Sequence, residues 1–517
     1  MKLTILETSD IHGYLYPTDY SSRAYQHPFG ALKAATVIKE EKKNAPGPVI
    51  AVDNGDFLQG SAYSYFVAKE NKEPTELIKA YNQIGYDVAI CGNHEWNYGR
   101  EYLNKAVEAL AYPVLSANIL NAAGEPFFGQ PYRIFNFDGC RVGILGVTTQ
   151  YIPNWEKPQT IEGLTFRSVV DTVKDYYEQL KDEMDVFIVS YHGGFERDLE
   201  TGEPTELLTG ENEGYQLLMD VPEIDVLLTG HQHRTIATHI HGVPVIQPGE
   251  KGRYVGKIVL DIDQINGAWH VNNALPELID TSDYEMDESI RQALEEQEQQ
   301  VQNWLDQSIG HVSGDMRITD PFEARVHEHP YIEFVQRVQM DAAQTTISGT
   351  ALFSQTSPGF EENIRMRDIL VNYIYPNTLA VVKITGRDLK AAIEQSAEYF
   401  DYDEQGQLTM SESFKYPKPK HYNYDMYEGV DYTIDVRQPV GERVTRFERN
   451  GQPIEMDEEL EVVVNQYRAV GGGNYDMFGA DKVIREVQID VSELIANYLE
   501  KHPTIQAQVN NNFEVRY

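Results

Sequence analysis

Over roughly its first 270 residues the chain repeats one pattern, a short run of Val, Ile and Leu followed by a loop of His, Asp, Asn and Gly. The apolar runs cover residues 3–7, 49–52, 88–90, 142–147, 186–190 and 226–228. Helix-forming stretches lie between several of them, at 31–43, 76–84, 100–110 and 169–183. Short strands interleaved with helices specify a layered α/β (α+β) domain whose sheets are mostly buried.

After about residue 311 the pattern changes. Helical segments are expected at 332–344, 366–374, 386–397 and 491–500, and strands at 380–384, 431–435 and 460–465. Residues 416–432 are dense in tyrosine, proline and lysine, and a Gly471-Gly472-Gly473 turn follows later. Between the halves, the polar, helix-favouring stretch 286–308 reads as a connecting helix. The expected organisation is a first domain over 1–275, a helical linker over 276–310 and a second α+β domain over 311–517.

Composition narrows the function. Against 43 Lys and Arg stand 81 Asp and Glu, a formal charge of −38. Long nucleic acids would be repelled, because their affinity comes mostly from cationic contacts to phosphate. A small phosphorylated substrate is still admitted where bound cations reverse the local field. No apolar run reaches the length of a membrane span, so no membrane partner is expected. The opening MKLTILETSD alternates apolar and polar residues and reads as a strand rather than a secretory signal. Together with only two cysteines, Cys91 and Cys140, this points to a reducing, cytoplasmic setting; a chain trimmed of an export signal would read the same.

Five polar clusters each follow an expected strand: Asp10-Ile11-His12, Gly55-Asp56, Gly92-Asn93-His94-Glu95, His192-Gly193-Gly194 and Gly230-His231-Gln232-His233. Taken singly, Asp-x-His is more often a turn or helix cap than a ligand pair, and Gly-Asp is common turn chemistry. Their joint occurrence after strands favours convergence on one spot, because ligands gather at the carboxyl ends of strands in such folds. Carboxylate, imidazole and amide oxygen together suit a divalent ion such as Mn²⁺, Fe²⁺ or Zn²⁺. Seven donors are on offer, enough for two metals sharing a carboxylate, with Asp56 the natural bridge. Two ions roughly 3.5–4 Å apart clamp an in-line displacement at phosphorus, and a hydroxide between them would be the nucleophile.

These clusters, in this order, resemble the signature blocks of the calcineurin-like metallophosphoesterases, in their 5′-nucleotidase branch. The second half is similar to that branch's C-terminal domain in Asn372-Tyr373-Ile374-Tyr375-Pro376-Asn377-Thr378, in Val382-Lys383-Ile384-Thr385-Gly386, and in Asn465-x-Tyr467-Arg468-Ala469-x-Gly471-Gly472-Gly473. The resemblance implies a four-layer α/β/β/α sandwich with a second α+β nucleotide-binding domain. It assigns one metal to Asp10, His12, Asp56 and His233 and the other to Asp56, Asn93, His192 and His231. His94 would stabilise the transition state or protonate the leaving oxygen. Tyr424 and Tyr475 would sandwich the base, and Arg367 would contact phosphate or ribose.

Two departures from that branch carry information. Three residues after the catalytic histidine, where an aspartate usually orients the imidazole, stands Asn97, and an amide cannot supply a negative charge. The Asn-x-Gly-Gly-Ile-Arg block is replaced by Ala351-Leu352-Phe353-Ser354-Gln355-Thr356. Both departures, and the Tyr422–Tyr432 segment, look like the 2′,3′-cyclic-nucleotide 2′-phosphodiesterase/3′-nucleotidase members. The expected activity is opening of 2′,3′-cyclic nucleotides followed by removal of the 3′-phosphate, with His94 and Asn97 at the catalytic position. The alternatives are a 5′-nucleotidase or nucleotide-sugar hydrolase, and a metal-nucleotide binding protein without turnover.

Overall fold

The computed structural model describes residues 1–517 except Leu207, Pro376, Pro417 and Gln488; of the motifs read above, Pro376 and Pro417 therefore lie outside the described residues. The chain forms two compact units, Met1–Val301 and Gln302–Tyr517.

In the first unit the Val- and Ile-rich runs become strands of two six-stranded sheets. Lys2–Thr8, Val49–Asp53, Val88–Ile90 and Val114–Leu115 run parallel in one, extended by the antiparallel hairpin Tyr254–Ile265/Ala268–Asp280. Cys140–Thr148, Val186–His192, Val226–Thr229 and Val243–Pro248 run parallel in the other, edged by the antiparallel strands Tyr132–Phe137 and Thr235–Ile240. The two-residue period of a strand divides its side chains between layers. Ile144, Ile188 and Leu228 pack against Ile5, Ile50, Val52 and Ile90 of the facing sheet. Leu145, Val189 and Leu227, in register with one another and each one residue away from one of those three, pack instead with Val169, Val173 and Leu217.

Helices cover the outer faces. Ala31–Asn44 buries Ala31, Leu32, Ala34, Ala35, Val37 and Ile38, and Thr75–Ile84 buries Leu77, Ile78, Ala80, Tyr81 and Ile84. This is the stripe expected of an amphipathic helix on a sheet. Val169–Leu180 starts where Ser168 accepts a hydrogen bond from the Asp171 amide, a side-chain N-cap. The result is helix, sheet, sheet, helix.

Helix Glu288–Leu305 occupies most of the stretch read as a connector, and the unit boundary falls within it, after Val301. The start of that stretch, residues 276–280, is the end of strand Ala268–Asp280. The second unit is built on a five-stranded sheet ordered Asp425–Glu428, Ser348–Ala351, Glu459–Asn465, Leu379–Thr385 and Val483–Val487. Helices Pro330–Ala343 and Gly386–Ala397 accompany it, the latter opened by a Thr385/Asp388 capping box.

Candidate metal centre

Parallel strands bring their carboxyl ends to one edge of each sheet, and the donors sit there. Asp10 follows Lys2–Thr8, Asp56 follows Val49–Asp53, Asn93 follows Val88–Ile90, His192 ends Val186–His192, and His231 and His233 follow Val226–Thr229. Asp10, His12 and His233 form one triad whose donor atoms all lie within 4.8 Å of one another, and Asp56, His192 and His231 form a second. Asn93 joins the second, with its Oδ1 2.8 Å from His231 Nδ1 and 3.2 Å from His192 Nε2.

The chain bends sharply to achieve this. Asp10, His12, Asp56, His231 and His233 all have positive φ, between 53° and 67°. A non-glycine residue there costs about 1–2 kcal/mol, so strain is concentrated on five of the seven donors. Glycines admit the close approaches. A Cβ on Gly92 would collide with Asp56 Oδ1, and one on Gly230 would stand 2.9 Å from Asp10 Oδ2 and closer still to Ser9 Oγ.

Each of the four imidazoles is held through one nitrogen and turns the other inward. His12 Nδ1 donates to the Gln59 carbonyl at 2.8 Å and His192 Nδ1 to the Asn54 carbonyl at 2.6 Å. His231 Nε2 lies 2.9 Å from Glu211 Oε1, and His233 Nδ1 lies 3.3 Å from Glu250 Oε2. Such outer partners fix the tautomer and raise the basicity of a metal-ligating histidine. Burial pushes the His12 pKa down to about 4, so its ring is neutral at pH 7 with a lone pair to give.

The donor set fits two divalent cations. His12 Nε2 and His233 Nε2 face each other at 3.1 Å, although Nδ1 of His12 already carries the ring proton. Asp56 Oδ1 accepts from the His94 amide at 2.7 Å, which leaves Oδ2, fully buried and without a hydrogen bond, directed at the cluster 3.2 Å from His192 Nε2. Burial alone would raise the pKa of Asp56, but the imidazoles around it, His192 foremost, hold it well below the usual carboxylate range. Lone pairs converging at these distances, with nitrogen and oxygen donors and no thiolate, are the arrangement a borderline divalent ion requires.

His94 stands beside this cluster, its ring centroid 5.2 Å from that of His12. Its Nδ1 is 2.7 Å from Asn97 Oδ1, and Asn97 Nδ2 donates to Glu156 Oε1 at 2.7 Å. The two loops that carry Asp56 and Asn93 are stitched together by Glu95, whose carboxylate accepts from the backbone amides of Asp56, Phe57, Leu58 and Gly92. Trp155 stacks on the His231 ring, with centroids 5.5 Å apart and planes at 30°.

The three residues expected to hold substrate in the second unit are corrected by their surroundings. Tyr424 and Tyr475 are completely buried. The Arg468 guanidinium covers the Tyr475 ring at 3.7 Å, and the Tyr475 hydroxyl donates to the Asn423 carbonyl at 2.7 Å. Tyr424 packs on Tyr399 and Phe400 and donates its hydroxyl to the Arg325 carbonyl at 2.9 Å. Neither ring presents a face on which a base could stack. Arg367 is also buried and is ion-paired to Asp306, so its charge is spent within the unit. Arg468 of the matched Asn465–Gly473 motif pairs with buried Asp425 at 2.6 Å, and Asn465 caps the short helix Gln466–Ala469. In this conformation the motif holds a turn.

Sequence reasoning missed Glu95, Glu156, Glu211 and Glu250. Glu95 alone carried a signal, as the last letter of Gly92-Asn93-His94-Glu95. The other three lie in loops with no motif around them. A third acidic group, Glu328, Glu333 and Glu428, sits in the second unit. Amides of Asn510, Asn512 and Gly429 and the Arg337 side chain already engage it.

Two facing sheets with this cluster at their strand ends define a metallophosphoesterase. The family model for calcineurin-like phosphoesterases matches residues 3–235, and that for the 5′-nucleotidase C-terminal domain matches residues 308–480. A crystal structure from Staphylococcus aureus, named "Putative 5′-Nucleotidase", is 38% identical over the whole of both chains, with a TM-score of 0.94. The chain belongs to the 5′-nucleotidase family of calcineurin-like metallophosphoesterases. Among curated relatives, a 2′,3′-cyclic-nucleotide 2′-phosphodiesterase/3′-nucleotidase of Yersinia enterocolitica is 26% identical over 99% of this chain and 88% of its own length. The trifunctional nucleotide phosphoesterase YfkN of Bacillus subtilis is 25% identical over 99% of this chain, which spans 39% of that longer protein.

Proposed function

We propose that the chain is a metal-dependent phosphohydrolase of small nucleotides, which opens 2′,3′-cyclic nucleotides to 3′-nucleotides and then releases the 3′-phosphate. The observation that carries the chemistry is the pair of donor triads, Asp10, His12 and His233 and Asp56, His192 and His231. The choice of ester is supported by the amide of Asn97 on His94 Nδ1, where 5′-nucleotidases usually have a carboxylate, and by the activity named for the Yersinia relative.

When bound, two divalent cations would offset the charge of the phosphoryl oxygens and make water nucleophilic at neutral pH. Asp10, His12, Asp56 and His233 would hold one, and Asp56, Asn93, His192 and His231 the other. The chain's own acid is His94. With Nδ1 held by Asn97, its Nε2 is the nitrogen that serves the substrate, giving a proton to the sugar oxygen as its bond to phosphorus breaks. Opening the cyclic ester releases the 2′-oxygen and hydrolysis of the monoester releases the 3′-oxygen, so one acid serves both steps. Tyr424, Tyr475 and Arg367 take no part in this reading.

The test is phosphate release with Mn²⁺ from 2′,3′-cyclic AMP (coupled to a phosphatase), 3′-AMP and 5′-AMP side by side. Preference for the first two is expected. Preference for 5′-AMP would favour the second reading, a 5′-nucleotidase, which the name of the Staphylococcus structure supports. No turnover with any phosphate ester would sink both. We place the enzyme in the cytoplasm on the strength of two buried free thiols, Cys91 and Cys140; recovery in a secreted fraction would overturn that placement.

A further inference from the structure

We infer that Glu156 is the charged residue that positions and polarises His94, acting through the Asn97 amide. The inference rests on the phosphohydrolase reading of the site. An asparagine on the catalytic imidazole looks at first like a lost charge. The charge has instead moved one residue outward, since Asn97 Oδ1 lies 2.7 Å from His94 Nδ1 and Asn97 Nδ2 donates to Glu156 Oε1 at 2.7 Å.

An amide has a fixed polarity, its oxygen accepting and its nitrogen donating. Once ionised, Glu156 can only accept from Asn97 Nδ2, which sets the amide's orientation. Asn97 Oδ1 can only accept from His94, which keeps one proton on Nδ1 and leaves Nε2 to take up and give the proton that moves in the reaction. A negative end to such a chain strengthens each bond before it, because hydrogen bonds in series polarise one another. A glutamine could make the same contact to Asn97 without burying a charge, which is costly. Burial pushes the Glu156 pKa up to about 7, opposed by the Asn97 hydrogen bond and Lys157.

Local structure explains how one residue outside every motif reaches this position. The turn Ile152–Asn154 is followed by Trp155 and Glu156, and the Glu156 amide donates back to the Ile152 carbonyl at 3.1 Å. Trp155 stacks on His231, a metal-donor imidazole, while Glu156 turns to Asn97. The same turn thus braces both a metal donor and the acid.

The test uses the full metal-loaded chain and three variants: Glu156→Gln, Asn97→Asp and the two together. Glu156→Gln keeps the shape of the contact and removes the charge. It is expected to lower kcat about ten- to a hundredfold with KM within about twofold and both metals retained. The double variant returns a carboxylate to the chain, now in direct contact with His94 and supported by the new amide. It is expected to recover most of the lost kcat, which a residue needed only for packing would not allow. An unchanged kcat in Glu156→Gln, or a double variant no faster than that single one, overturns the inference.

A measurement on the unaltered Zn²⁺-loaded protein stands apart from the variants and from turnover. Ring ¹⁵N shifts should show His94 protonated at Nδ1; a bare Nδ1 would overturn the inference. A wild-type protein inactive on every phosphate ester would instead defeat the phosphohydrolase reading, leaving the tautomer measurement to judge the chain of contacts.

Discussion

His12 Nε2 lies 3.1 Å from His233 Nε2, and the nitrogens on the far sides of the two rings are held by the Gln59 carbonyl and by Glu250 Oε2. Metal ligation requires both facing nitrogens to be unprotonated, and two lone pairs at that distance repel unless a positive charge lies between them. Chelation should therefore cost stability as well as activity. With metal at 100 times its dissociation constant, each site adds about 2.7 kcal/mol to the folded state. Calorimetry with and without EDTA should show a lower transition for the unit Met1–Val301 and an unmoved one for Gln302–Tyr517. Identical traces would mean that these donors bind no ion.

Asp56→Asn tests the shared carboxylate. Asparagine tolerates the positive φ of this position, so the loop should persist while the bridging charge is lost. The expected outcome is metal content reduced below two per chain and no measurable turnover. Full activity with two metals bound would refute the bridge.

His94→Asn should separate acid from metal. No metal contact is assigned to this side chain, so both ions should stay while kcat falls by about 10²–10⁴-fold. Loss of metal in this variant, measured by elemental analysis, would show that His94 is a ligand instead.

Glu156 predicts a trade between stability and rate. Its pKa is raised by burial to about 7 in the folded chain, against about 4.3 when unfolded. A group raised in this way supports the fold fully below its unfolded value and loses that support as pH climbs through its folded one. Above pH 7 the wild type carries a cost of about 4 kcal/mol that Glu156→Gln escapes. The variant should therefore melt higher at pH 8 and close to the wild type at pH 5. A variant that melts lower at pH 8 would show that the carboxylate is stabilising there.

The first unit was legible in the sequence because its strands are buried on both faces and read as unbroken Val/Ile runs. The donors were legible because each follows such a run within five residues. What the sequence could not show is reach. Glu156 stands 59 positions from Asn97, and Glu211 stands 20 from His231, so neither pairing leaves a local trace. The tyrosines failed for the opposite reason. Tyr424 and Tyr475 sit in motifs, but those motifs also specify a turn tied by Arg468 and Asp425, and packing consumes both rings.

The left-handed backbone of Asp10, His12, Asp56, His231 and His233 changes how substitutions at the centre should be read. Asp, Asn and His are the non-glycine residues that accept this conformation best, and Asp and His are also what the ions ask for. Each of these five letters is thus selected twice, once by coordination and once by the turn. An alanine scan would add the two penalties and assign the sum to the metal. Asparagine keeps the turn and alters the ligand, whereas glycine keeps the turn and removes it, and the difference between those two is the part that belongs to coordination.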